Sequence, residues 1–349
     1  MTIADLLRIK MNYEKNNILN KPSRYIALEQ IRNQTGDLLK RPSPEPGMTM
    51  KSALKKRLKI DEKAKMLELY ITGQVSIGII ASAFGIVEEG QLKEAEQLEH
   101  LFKKKMGDKL VILTFDDARL CHYQNVAPVL EKYGAKANLC ICEMLYGMMG
   151  DNSGFHDKSK FMTWRQIKEL YVRGHEIVNH SFHHERKFYT ESKEYKTEQI
   201  KRLENRCMNN GIRKPIAFAY PGGTASIQDT MLIHELGYEW ARGDLQEDAF
   251  HRSGSDYYEP LIDSPLAMPS FNNAPGFNRE QLELLVEGIT EDRVLVLVYH
   301  DVNEDSQLYQ SFEEQIQTIY NSGGKCISFR ELSDYIDPLI AFKRHRLFE

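Results

Sequence analysis

No run of the 349 residues is apolar for long enough to span a bilayer, so no transmembrane helix is expected. The opening segment, MTIADLLRIKMNYEKN, does not read as a secretory leader: Asp5 comes early, and the apolar stretch is short and broken by charge. Cysteine is scarce. There are five, an odd number, without the spacing of a disulfide scaffold. These absences make a reducing, cytoplasmic setting the expectation. Strong charge of one sign is missing too. The 46 Lys and Arg against 50 Asp and Glu leave −4, which gives the whole molecule no general attraction for nucleic acid. Internal repeats and low-complexity tracts are also absent.

What remains is a chain of ordinary globular composition, 42% apolar and 28% charged, long enough for a large core. Its charge is uneven. Residues 1–105 hold 19 Lys and Arg and 13 Asp and Glu, a net of +6, and the rest carries −10. That asymmetry suggests a helical N-terminal region, 1–105, and a second unit, 106–349. RPSPEPG (41–47) concentrates three prolines and a glycine and reads as a linker near 40–50. Helical patterns occupy 1–39, 52–70, 76–86 and 88–105.

From Lys109 the rhythm changes to short β-branched and aromatic runs alternating with helical patterns. KLVILTF (109–115), AKANLCI (135–141), HEIVNH (175–180), IAFAYP (216–221), YEWAR (238–242), VLVLVYH (294–300) and KCIS (325–328) read as strands. Alternation of this kind implies parallel βα units. Seven or eight short apolar strands suggest a barrel, in which chemistry collects where strands end.

Ionisable groups stand at those ends: Asp116 and Asp117, His180 and His184, Arg242, then His300 and Asp301. His180 and His184, four apart, point the same way if they share one helical turn, and can then bind one metal. Asp117 or Asp116 can complete a two-histidine, one-carboxylate set, the other serving as general base towards a water of lowered pKa. His300 is the candidate general acid, and a backbone N–H on the Pro221–Gly222 turn a candidate oxyanion donor.

TFDD (114–117), HSFHH (180–184), AYPGG (219–223) and LVYHD (297–301) resemble, in order, the motifs of the polysaccharide deacetylase family, also called the NodB-homology or carbohydrate esterase 4 family. MTWRQIKEL and GHEIVNHSFHH strengthen the likeness, which covers roughly residues 108–337. The resemblance implies an α/β fold, a distorted (β/α)7 barrel, and a metal-dependent hydrolase removing N-acetyl groups from a carbohydrate. It implies Asp116 as base, His300 as acid, and Asp117, His180 and His184 as ligands of a divalent metal, most commonly Zn2+. It places the Gly222 N–H in the oxyanion hole, with Pro221 and Tyr220 beside it at the substrate. The chain departs from the pattern at Ala219, where many relatives carry an arginine that pairs with the base. Arg242, at the end of YEWAR, is expected to reach Asp116 from a different strand, against the alternative of pairing with Asp244.

Plainer readings accompany these. Cys140 and Cys142 read as core packing, and His122, His156, His175, His234 and His251 as structural. Phe250, Tyr257, Tyr258 and Phe271, in the long stretch 243–278, are aromatic candidates for sugar stacking. The glycine-rich stretch 147–160 is either a lid or an insertion. EKAKMLELYITGQVSIGIIASAFGI (62–86) weakly resembles the helix-turn-helix of transposase-like proteins. The following helix is acidic (Glu88, Glu89, Glu94, Glu96, Glu99), which argues against phosphate contact and for a helical packing or interaction module. Two alternatives to a carbohydrate deacetylase are an amidase of the same barrel acting on a small cyclic amide or ureide, and a barrel-based sensor with a partner- or DNA-binding N-terminus.

Overall fold

The computed structural model describes residues 107–143, 158–185, 187–245, 257–261, 263–271, 277–290, 292–302 and 307–346, with isolated positions between residues 6 and 101. The chain divides into two compact units, Met1–Leu101 and Phe102–Glu349. In the first, most described positions are helical, and Leu67, Tyr70, Ile77 and Ile80 are buried. The linker near 40–50, most of the N-terminal helical patterns, the acidic helix and the stretch 147–157 lie outside the described residues. No helix among the described residues is long and apolar enough to cross a membrane.

The second unit is built on seven parallel strands: β1 (Lys109–Phe115), β2 (Asn138–Ile141), β3 (Glu176–Asn179), β4 (Ala217–Ala225), β5 (Trp240–Leu245), β6 (Val294–Tyr299) and β7 (Gly324–Ile327). Helices connect them: α1 (Ala127–Lys132), α2 (Trp164–Val172), α3 (Lys193–Asn209), α4 (Ile227–Glu235), α5 (Arg279–Glu287) and α6 (Gln307–Asn321), with α7 (Phe329–Leu332) and α8 (Pro338–Arg346) after β7. Side-chain caps start several of them. Thr163 with Gln166, Ser226 with Asp229, Asn278 with Gln281 and Ser328 with Glu331 form reciprocal capping boxes that satisfy otherwise orphaned N–H groups. One face of β1, Val111, Leu113 and Phe115, packs in a core cluster with helix residues Leu130, Ile167, Val286, Ile316 and Ile319. The alternate residues Leu110, Ile112 and Thr114 are equally buried and line the barrel interior.

The strands run in the order β5-β4-β3-β2-β1-β6, with β7 also on β1. One edge of β1 pairs with β6 along its length, from Leu110↔Val294 to Phe115↔Tyr299. The other edge is therefore divided: β7 takes Lys109–Ile112, and β2 takes Thr114 and Phe115. Asn138 sits at this fork. Its Nδ2 donates to Leu113 O at 3.0 Å and Ile327 O at 3.3 Å, and its Oδ1 accepts from Phe329 N at 2.8 Å.

β5 and β6 do not pair with each other; residues 258–261 and 263–271 lie between them. Met268 N donates to Ala241 O, and Gly243 N to Met268 O. On the other side Tyr258 and Val294 exchange backbone hydrogen bonds, as do Phe271 N with Val296 O and Val298 N with Phe271 O. An irregular segment thus closes the ring, and the result is a distorted (β/α)7 barrel, with seven strands among the described residues. This corrects the sugar-stacking reading for Tyr258, while Tyr257 and Phe271 are half-buried and serve as apolar anchors. Tyr258 is fully buried, Phe271 packs against the core cluster while bridging to β6, and Tyr257 packs on the same cluster with its hydroxyl donating to Leu285 O. Phe250 lies outside the described residues.

Candidate active site

The C-terminal ends of β1, β3 and β6, with Arg242 inside β5, bring Asp116, Asp117, His180, His184, Arg242 and His300 together. Parallel strands present all their carboxyl ends on one rim, so residues far apart in sequence share one site.

Asp116 and Asp117 follow β1 and are nearly fully buried. Asp117 and Ala118 have positive φ, 71° and 52°, a left-handed backbone uncommon for side-chain-bearing residues. Ser181 and His184 share it, at 60° and 55°. The two histidines therefore do not lie on a helical turn, as their spacing suggested. An irregular turn joins them, held by side-chain hydrogen bonds: Ser181 N donates to Asn179 Oδ1 and His184 N to Ser181 Oγ. The imidazoles still meet, with ring centres 4.5 Å apart at 67°.

His180 Nδ1 lies 2.8 Å from Ala219 O. A carbonyl only accepts, so Nδ1 carries the proton and Nε2 holds a lone pair. That Nε2 has no hydrogen-bond partner and stands 3.6 Å from Asp116 Oδ2 and 3.9 Å from Asp117 Oδ1. Asp117 Oδ1 is likewise without a hydrogen-bond partner, and His184 Nε2 is 3.5 Å from it. Burial lowers the pKa of both histidines, that of His180 to about 4, so both are neutral near pH 7. A buried lone pair facing two carboxylates is unfavourable unless a cation lies among them. Asp117, His180 and His184 each offer one ligand atom, all within 4.8 Å of one another. These residues fit a divalent cation, and the Ala219 carbonyl orients the imidazole as backbone acceptors commonly do at metal sites.

Arg242 is fully buried, and its Nη2 donates to Asp116 Oδ1. In the β4–β5 register Ala219 and Arg242 are direct partners. The small residue on β4 stands across from the guanidinium on β5. Burial alone would raise the Asp116 pKa; the charge of Arg242 and its hydrogen bond outweigh it and hold the carboxyl well below the usual carboxylate range. Cys140, at 3.9 Å from Arg242 Nη2, packs against the pair, and burial keeps its thiol protonated. All five cysteines are free and buried. His300 Nε2 is 3.7 Å from Asp116 Oδ2, with its side chain 49% exposed, so it stands at the mouth of the site.

The segment expected to supply an oxyanion donor differs from residue to residue. β4 runs through Tyr220–Gly223 with a register shift against β5, and Gly222 and Gly223 take φ of 73° and 74°. Gly222 is exposed, whereas Pro221 is buried. The Tyr220 side chain is fully buried, and its hydroxyl donates to Leu266 O. It offers no side chain to a substrate, because its ring packs in the cluster with Phe218 and Leu266.

Sequence reasoning missed Arg119. Its Nη2 donates to Asp117 Oδ2 at 3.3 Å and its Nη1 lies 3.5 Å from Asp301 Oδ1. Its position two residues after Asp117 was the only available signal.

Residues 103–241 match the family model described as Polysaccharide deacetylase. A curated relative, YxkH of Bacillus subtilis (strain 168), is 36% identical over 81 residues, or 23% of this chain. The matched region spans about a quarter (25%) of that relative's length. Among solved structures, the chain is similar to the Streptococcus pyogenes deacetylase PplD in complex with acetate at 21% identity and a TM-score of 0.35, covering 44% of this chain and 60% of that one. It is similar to the chitin deacetylase of Colletotrichum lindemuthianum at 17% identity and a TM-score of 0.44, covering 64% and 87%. The family 4 carbohydrate esterase from Streptomyces lividans in complex with acetate gives 14% identity and a TM-score of 0.42, covering 65% and 96%.

Proposed function

We propose, for a chain whose residues 103–241 fall within the polysaccharide deacetylase family, hydrolysis of the N-acetyl groups of a carbohydrate at the rim of this barrel. The supporting observation is the buried, partnerless Nε2 of His180 held towards Asp116 and Asp117 beside His184. A divalent cation held by Asp117, His180 and His184 would supply Lewis-acid polarisation and a water of lowered pKa, and zinc suits two imidazoles with one carboxylate. Asp116, ionised and held by Arg242, takes the proton from the attacking water. His300, at the mouth, gives a proton to the departing amine nitrogen, without which C–N cleavage stalls. The exposed main chain at Gly222 lies where a donor could meet the developing oxyanion.

The test is acetate release from N-acetylated chitooligosaccharides, before and after chelation, together with metal analysis of His180→Ala. Activity lost on chelation, restored by a divalent cation, and absent with the metal from His180→Ala is the expected result. Full turnover in a metal-free His180→Ala protein would overturn the reading. Acetate-free hydrolysis of a cyclic ureide, with no action on acetylated sugars, would favour the amidase alternative.

A further inference from the structure

The stretch Arg119–Asn125 holds none of the groups assigned a chemical step above, yet three of its side chains meet the main chain of residues 300–302, and a fourth, Arg119, joins the Asp301 carboxylate to that of Asp117. His122 Nε2 lies 2.6 Å from His300 O, so this nitrogen carries the ring proton and donates it. Asn125 Nδ2 donates to Val302 O at 2.7 Å. Val302 N donates to Cys121 Sγ at 3.4 Å, and Arg119 Nη1 stands 3.5 Å from Asp301 Oδ1. His122 is fully buried and Asn125 nearly so. The backbone His122–Val126 is wound as a π-turn, wider than an α-turn by one residue, a feature often found beside functional sites. From this turn His122 and Asn125, three apart, reach the carbonyls of alternate residues, 300 and 302. The His300 side chain is half-exposed, so its own burial does little to fix it.

We propose that Arg119–Asn125 is a clamp that positions His300 for proton delivery to the leaving group, with His122 and Asn125 as its principal donors. The proposal rests on the acid role given to His300. A general acid acts over hydrogen-bond distance, so a shift of its main chain by an ångström degrades the step it serves while leaving water activation in place. The consequence depends on the leaving group. An amine must be protonated to depart; 4-nitrophenolate departs without help.

The experiment compares an N-acetylated chitooligosaccharide with 4-nitrophenyl acetate in His122→Phe, Asn125→Leu and His300→Ala. His122→Phe keeps a ring against Phe115, whose present contact has ring centres 5.6 Å apart, and removes the donor. In both clamp variants kcat on the acetamide should fall by about tenfold or more, with KM and metal content little changed and a far smaller loss on the aryl ester. His122→Gln, which can place an amide N–H near the same carbonyl, should recover most of the amide turnover. If His122→Phe fails to fold, Asn125→Leu and Asn125→Asp carry the same comparison, since aspartate keeps the size and loses the donor. Equal losses on both substrates, or unchanged amide turnover, would overturn the clamp. His300→Ala separates the two levels. If it shows the leaving-group contrast and the clamp variants do not, only the clamp falls; if it lacks the contrast, the acid role and the clamp fall together.

Discussion

Arg242 illustrates how a charge can be moved across a sheet without moving the group it serves. Its Cα is the register partner of Ala219, so an arginine on either strand can reach a common point above the rim. The guanidinium meets Asp116 fully buried, where a planar fork fixes a carboxylate better than an ammonium does. Arg242→Lys should keep the metal and lower turnover by roughly tenfold to a hundredfold through misplacement of the base. Unchanged turnover and pH profile in that variant would remove Arg242 from the site. Asp116→Asn should also keep the metal, because His180 and His184 with Asp117 are untouched. It should lose about 10²–10⁴-fold in kcat, since an amide cannot take the proton. Much of this site was legible beforehand, because ionisable groups directly after apolar strands are visible in one dimension. Arg119 and His122 were not, because what makes them matter is contact with residues about 180 positions away, at Asp301 and His300.

At the scale of elements, the strands announced themselves wherever they were buried on both faces, as in β6, a continuous apolar run, and β1, apolar but for Lys109 and Thr114. β4 was harder. Pro221–Gly222–Gly223 reads as a turn, yet the strand bulges through it and rejoins β5 at Thr224↔Asp244. The helical turn expected at His180–His184 failed for a related reason: side chains of Asn179 and Ser181 replaced the backbone bonds a helix would have made. Gly243 shows what β5 requires. A Cβ there would sit 2.7 Å from Tyr220 Cδ2 and 3.3 Å from Gly223 O, and φ is +153°. Gly243→Ala should push Tyr220 aside next to Arg242, lowering both stability and turnover; a structure with Tyr220 unmoved and full activity would count against this. Asn138→Leu removes three hydrogen bonds from the buried fork of β1. It should destabilise by about 2–4 kcal/mol in urea unfolding, with no direct contact to the site lost.

For the whole molecule, acidity should act through buried imidazoles. Burial lowers the pKa of His122, His175, His180 and His184, to about 4 for His122 and His180 against 6.5 for the free side chain. Between these values the unfolded chain binds more protons than the folded one, so stability rises with pH across that window and is lost as pH falls through it. Asp116 and Asp117, with depressed pKa values, add stability that is present above the ordinary carboxylate range and is lost as pH falls through their folded values. The thermal midpoint of chelator-treated protein should climb from about pH 4.5 to about pH 7 and then level off. His122→Gln should flatten part of the climb, and a midpoint independent of pH would contradict the buried neutral histidines.

The closing segment, residues 258–261 and 263–271, bears on how the molecule fails. It reaches β5 and β6 through a handful of isolated bridges rather than a continuous ladder. Nothing in its sequence has strand periodicity, which is why its closing role was not foreseen. Partial opening there would uncover the flanks of β5 and the apolar β6 at once, and bare flanks recruit strands from other molecules. Self-association on mild heating should therefore begin at this seam, ahead of global unfolding. Hydrogen–deuterium exchange can see it: the amides of Val294 and Val298, which donate to Tyr258 and Phe271, should exchange sooner than those of β1. If all strands exchanged together, the seam would be as durable as the rest of the ring.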